Sequence, residues 1–262
     1  MKIGIRQGAL GNPETKDVFA MAAELGYDGV ELEVAADYED TLLASAEGRA
    51  QLKQYVAETG VEVRSLCVGA LWKTSPAATD PDNLERARYL ISQGIEACAK
   101  LGAKWFLLPI TPSEDESVTH EQCTERWIAE VKALAPKAEA ADVILCLENV
   151  GRGCGKSAEE LKVLCDGVGS SHVKTYFDIG NSCNFGFDTM AEMDLLGDLI
   201  AIIHVKDFEG ELLGEGKVDI PACIAKAREL GFDGWLVLET PATDDAMAAG
   251  KANLEYLKDV VG

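Results

Sequence analysis

The sequence predicts an α/β fold, a single (β/α)8 barrel spanning residues 1–262. Three observations predict it. Short apolar, β-rich runs alternate with segments of helical spacing along the whole chain. One unit, ELGYDGVELE at 24–33, returns as ELGFDGWLVLE at 229–239, with a looser copy, KLGAKWFLL, at 100–108. Each copy reads as a helix end, a glycine stop, a turn and a strand, which is a repeated βα unit. No Gly/Ser linker or low-complexity tract divides the 262 residues, and a closed barrel of that size is favoured over a doubly wound open sheet.

In order, the strand-like runs are 2–7 (KIGIRQ), 28–33 (DGVELE), 61–69 (VEVRSLCVG) and 104–110 (KWFLLPI). Four more follow at 143–150 (VILCLENV), 173–181 (VKTYFDIGN), 200–207 (IAIIHVKD) and 235–240 (WLVLET). The third intervening helix is the clearest. Leu84, Ala87, Leu90, Ile91, Ile95, Cys98 and Leu101 form one apolar stripe. Asp80 is its expected N-cap, Pro81 its first residue and Gly102 its stop. The next helix starts near His120, where Thr119 and Gln122 have capping-box spacing. His172 precedes the sixth strand, at the rim away from the strand ends.

Composition narrows the function. Lys and Arg total 24 against 45 Asp and Glu, a formal net charge of −21. Such a field repels nucleic acid and anionic membranes, so neither is expected as a partner. The opening MKIGIRQGALG lacks a basic segment followed by a long apolar core, and does not read as a signal peptide. No apolar run approaches the roughly 18 residues that cross a bilayer. The eight cysteines form no CxxC pair and lie mostly in apolar patterns, as reduced core thiols of a cytoplasmic protein would.

Barrel chemistry sits at the C-terminal ends of the strands. The fifth to eighth runs end with Glu148, Asp178, His204 and Glu239, separated by 30, 26 and 35 residues, about one βα unit each. Three carboxylates brought together repel one another unless a cation joins them. With one imidazole they make a mostly hard, oxygen-rich set for a divalent ion, Mn²⁺ or Mg²⁺ first, then Co²⁺ or Zn²⁺. Around them, Asn181, Lys206, Asp207 and Arg152 are placed to meet a substrate. Lys206 shares the face of His204, and a mutual Lys206–Asp207 ion pair is the competing reading of that dipeptide. Neither GEGKVD (214–219) nor VGRGCGK (150–156) has phosphate-loop spacing, and no GxSxG elbow occurs.

The motifs LCLENV, YFDIGNS, IIHVKD and LLGEGKVDIPACIAKARELGFDGWLVLE, with ELGYDGVELE, RSLCVGALW and the stretch 80–108, cover most of the chain. In this order they resemble the xylose-isomerase-like TIM-barrel superfamily of sugar and sugar-phosphate isomerases and epimerases. The pattern is nearest to the ketose 3-epimerases of the L-ribulose (L-xylulose) 5-phosphate type. The resemblance implies a divalent metal held by Glu148, Asp178, His204 and Glu239. It also implies acid and base roles for Glu148 and Glu239 on opposite sides of a ketose, through a cis-enediolate. Return of the proton at C3 is epimerisation, return at the neighbouring carbon is aldose–ketose isomerisation, and elimination of water on the same site would make an inosose-type dehydratase. A small-molecule sugar or sugar phosphate is the implied substrate, and homo-oligomers are common in the family. Asn181 stands where some ketose 3-epimerases have histidine. The loop GALWKTSP, whose Trp72 would cover the sugar, is less basic than in phosphate-handling relatives. An endonuclease IV-like site needs three zinc ions and many histidines, against three histidines here.

Overall fold

Alternation along each strand decides which side chains fill a barrel and which meet its helices. A computed structural model describes residues 1–262 apart from Glu211. Its strands are β1 (Lys2–Arg6), β2 (Gly29–Glu33), β3 (Glu62–Cys67), β4 (Trp105–Pro109), β5 (Ile144–Glu148), β6 (Val173–Asp178), β7 (Ile200–Val205) and β8 (Trp235–Leu238). They pair in sequence order, all parallel, and β1 closes on β8 with Lys2 opposite Trp235 and Ile5 opposite Leu238. The helices are α1 (Thr15–Leu25), α2 (Ala46–Thr59), α3 (Pro81–Leu101), α4 (His120–Ala140), α5 (Ala158–Val168), α6 (Ile179–Asn184), α7 (Thr189–Leu196), α8 (Ile220–Glu229) and α9 (Ala246–Val261).

One phase of each strand packs outward against the helices, as Phe106, Leu108, Leu145, Leu147, Phe177, Ile203, Leu236 and Leu238 do. The other phase fills the barrel with a separate cluster, Cys67, Leu107, Cys146, Tyr176, Ile202, Trp235 and Val237. Gly29 makes room for the Trp235 indole; a Cβ there would stand 2.7 Å from its ring. Two residues beyond Cys146, Tyr176, Ile202 and Val237 on the same phase come Glu148, Asp178, His204 and Glu239. The apolar interior layer therefore carries the polar layer directly above it.

Local signals set the helix ends. The Asp80 carboxylate accepts from the Asp82 and Asn83 amides, and Gly102 closes α3 at φ 78°. Thr119 and Gln122 form the expected capping box on α4. Every strand except β2 ends one to three residues inside its expected range, and the largest difference is at the end of β6. Residues 179–181, read as the tail of the sixth strand, are the first turn of α6, because the Asp178 carboxylate accepts from the Asn181 amide and caps it. Among the described residues, no helix is long and apolar enough to cross a membrane.

Candidate active site

Strand register brings the four predicted side chains together. Asp178 on β6 lies directly opposite His204 on β7, and Glu148 and Glu239 reach in from β5 and β8. One ligand atom from each lies within 4.8 Å of the others. His204 is fully buried, with Nδ1 2.9 Å from Glu148 Oε1, 3.5 Å from Glu239 Oε2 and 3.9 Å from Asp178 Oδ2. Its Nε2 faces Glu31 Oε1 at 3.2 Å. The imidazole stacks on Tyr176, ring centroids 4.2 Å apart.

Lys206 brings its ammonium group among the carboxylates. Its Nζ lies 2.7 Å from both Asp178 Oδ2 and Glu239 Oε2. It donates to Glu239, whereas Asp178 Oδ2 feels the charge without an aligned hydrogen bond. Asn149 fixes Asp178 from behind, accepting from its amide at 2.7 Å and donating to its carbonyl at 2.9 Å. Asn181 in turn donates its side-chain amide to the Asn149 carbonyl while still lining the cavity.

The sequence reading missed a second layer. Arg6 on β1 pairs with Glu239 and reaches Glu33 Oε2 at 3.1 Å. Glu31, fully buried on β2, accepts from Ser65 Oγ at 2.7 Å and Tyr176 Oη at 2.8 Å besides facing His204. Alternation in GVELEV was the available signal: Val30, Leu32 and Val34 take the helix side, which turns Glu31 and Glu33 inward.

Asp207 does not join the cavity. Its carboxylate accepts from the amides of Phe208, Gly214, Gly216 and Val218, and so organises the loop before α8. The Lys206–Asp207 ion pair considered from sequence does not form, because Lys206 has turned to Asp178 and Glu239. Arg152 and the half-exposed Trp72 both line a cavity of about 270 Å³ over the carboxylates, with Arg6, Pro109, Asn181, Phe185 and Lys206. A larger cavity, about 670 Å³, lies beside α9, and its alanine-rich, acidic lining holds none of these residues.

Electrostatics divides the two glutamates. Burial pushes Glu148 up to about 7, with Glu239 adding to the shift and His204 opposing it. Burial acts upward on Glu239 too, but His204, Lys206 and Arg6 outweigh it and hold that carboxyl well below the usual range. Burial raises Asp178 against the pull of Lys206. On His204, burial favours the neutral ring, yet Glu239 and Glu31 hold its pKa well above that of a free imidazole.

The residues fit a divalent ion. Asp178 Oδ2 is a buried carboxylate oxygen without a hydrogen-bond partner, and the set offers three oxygen donors and one nitrogen. The Nε2–Glu31 contact is the outer support that a ligating histidine characteristically has.

Residues 19–260 match the family described as xylose isomerase-like TIM barrel. The chain belongs to that family. It is 29% identical over 255 residues to SgbU of Escherichia coli strain K12, provisionally assigned as an L-ribulose-5-phosphate 3-epimerase, covering 91% of this chain and 88% of that protein. To the L-ribulose-5-phosphate 3-epimerase UlaE of Salmonella typhimurium strain LT2 it is 28% identical over 235 residues, covering 84% and 79%. Among solved structures, an L-ribulose 3-epimerase superposes with a TM-score of 0.87 at 17% identity, covering 99% of this chain and 94% of that one. The IOLI protein with a bound zinc atom superposes at 0.82 and 18% identity, covering 100% and 98%. At such identities the structural likeness speaks for the fold.

Proposed function

We propose that this barrel is a divalent-metal-dependent 3-epimerase of a ketose or ketose phosphate, with Glu148 and Glu239 as its proton-transfer pair. The observation that carries the reading is the convergence of these two glutamates with Asp178 and His204 under one cavity. The epimerase names of the relatives over most of the chain support it.

Glu148, Asp178, His204 and Glu239 would hold the ion, with Mn²⁺ or Mg²⁺ favoured by the three carboxylates. When bound, it supplies Lewis acidity that makes the hydrogen beside a ketose carbonyl removable. The protein groups do the rest. Glu239, kept ionised by Lys206 and Arg6, is the carboxylate ready to accept a proton. Glu148 exchanges one on the other face. Loss of the proton leaves the substrate an enediolate, and its return from the opposite side inverts C3. Lys206 and Asn181 sit where a sugar hydroxyl would lie, Arg152 meets the far end of the substrate, and Trp72 and Phe185 shield the cavity from water.

The test is proton NMR in D₂O with Mn²⁺ and a panel of ketoses and ketose phosphates. Exchange of the C3 hydrogen, lost in both Glu148→Gln and Glu239→Gln, is expected. Exchange at C1 instead would make the enzyme an aldose–ketose isomerase, and release of water a dehydratase.

A further inference from the structure

Glu33 touches none of the reacting groups, yet it holds one that does. It closes β2, where alternation turns it inward with Glu31. Its Oε2 accepts from Arg6 Nη2 at 3.1 Å. The other arm of the same guanidinium donates through Nη1 to Glu239 Oε1, and Nε lies 3.9 Å from Glu31 Oε1. Arg6 and Glu239 line the cavity over the carboxylates, whereas Glu33 lines a separate cavity of about 170 Å³ with Gln7, Thr41 and Leu43. Glu33 therefore reaches the active site through Arg6.

Two features make this a restraint. Arginine is a long, flexible side chain ending in a planar fork, and a carboxylate on each arm fixes both the position and the plane of that fork. With Glu239 as its single partner, the fork could turn together with that carboxylate. With Glu33 on the second arm, it cannot. The Glu33 carboxylate is itself confined, because the backbone of Gly69 closes on it and a Cβ there would overlap Oε1. Gly69 opens the short 3₁₀ turn Gly69–Trp72, which brings Trp72 to the cavity. Direct contacts thus run from that turn to Glu33, from Glu33 to Arg6 and from Arg6 to Glu239.

We propose that Glu33 is a positioning residue for Glu239: it fixes the Arg6 guanidinium, and the guanidinium fixes the orientation of the Glu239 carboxylate for proton transfer. The proposal rests on the epimerase reading of the site. Arg6 holds Oε1, which leaves Oε2 turned inward, 2.7 Å from Lys206 Nζ and 3.5 Å from His204 Nδ1. Proton transfer is sensitive to misplacement of the base by about 1 Å. Asn181, Lys206 and Arg152, which would meet the substrate, do not depend on Glu33. Its loss should therefore slow the proton transfer and spare substrate binding.

The test compares the wild type with Glu33→Met, which keeps the bulk and removes the acceptor, and with Gly69→Ala, which displaces the carboxylate and alters no polar group. Exchange of the C3 hydrogen in D₂O with Mn²⁺ should show kcat lower by about 10-fold or more in both, with KM unchanged. Arg6→Met should lose at least as much, and Arg6→Met/Glu33→Met no more than Arg6→Met alone, since Glu33 acts only through Arg6; independent roles would multiply. A multiplied loss, a raised KM with kcat held, or a wild-type rate in Glu33→Met overturns the proposal. Crystal structures of the wild type and Glu33→Met decide the contact without any substrate. Displacement of Arg6 and rotation of the Glu239 carboxylate are expected, and both groups in their wild-type places refute the role. Where Glu33→Met fails to fold, Gly69→Ala carries the same comparison. Lack of C3 exchange in the wild type counts against the epimerase reading instead, and the crystallographic comparison then judges Glu33 by itself.

Discussion

Glu31 sets which nitrogen His204 offers to the cavity. With Nε2 turned to Glu31, the lone pair that matters is on Nδ1, 2.9 Å from Glu148. Glu31→Gln keeps an acceptor but loses the charge that anchors the ring, and should weaken Mn²⁺ binding by about 10- to 100-fold. Titration calorimetry on the folded variant measures this, and unchanged affinity would dismiss the supporting role. Glu148 gives the pH dependence. Its folded pKa of about 7 stands above the ordinary 4.5, so the folded protein without metal binds this proton more tightly than the unfolded chain. That contribution to stability is complete below about 4.5 and is lost as pH rises through about 7. A metal ligand must be deprotonated, so Mn²⁺ binding should release more protons at pH 6 than at pH 8, as calorimetry in buffers of different ionisation enthalpy would register. The four strand-end residues were legible because each ends an apolar run. Arg6, Glu31 and Glu33 were missed: alternation in GVELEV puts the two glutamates on one face, but only the closed barrel shows that this face lies beneath the strand-end carboxylates.

At the scale of elements, the strands were readable and their ends less so, β6 least of all. Asp178 belongs to two elements, closing β6 and capping α6, and the apolar Ile179 after it prolongs the strand pattern by three residues. Asp207 shows a similar limit: adjacency to Lys206 suggested an ion pair, whereas four amides arriving from as far as Val218 are invisible in local sequence. Asp207→Ala should unfasten that loop, with proteolysis between β7 and α8 rising sharply and overall stability falling by about 1–3 kcal/mol as amides lose their acceptor. Equal cleavage rates in variant and wild type would contradict it. Helix packing offers a second check. Gly94 in α3 faces Phe106 of β4 so closely that a Cβ would stand 2.1 Å from the ring. Gly94→Ala raises helix propensity, but overpacking at about 1–3 kcal/mol exceeds that gain of about 1 kcal/mol at most. Thermal unfolding should therefore move down, and a rise in Tm would show that the Phe106 ring yields freely.

For the whole molecule, charge separates the mouth of the barrel from the rest of the surface. Arg6, Lys206 and Arg152 line the cavity of a chain whose net charge is −21. A divalent cation is drawn toward such a protein, whereas an anionic sugar is repelled at long range and attracted only at the mouth. The same excess acts on stability. Raising the salt from about 10 mM to 150 mM shortens the Debye length from about 30 Å to about 8 Å, which removes repulsion between charges on different helices. Salt also weakens favourable surface pairs such as Arg88–Glu130, yet each is worth only about 0–1 kcal/mol. With 45 acidic against 24 basic residues, at least 21 carboxylates have no basic partner to lose, and screening of repulsion wins. Calorimetric Tm should therefore climb with NaCl over this range at neutral pH. A fall in Tm would mean that the ion pairs, rather than the unmatched carboxylates, dominate the surface energetics.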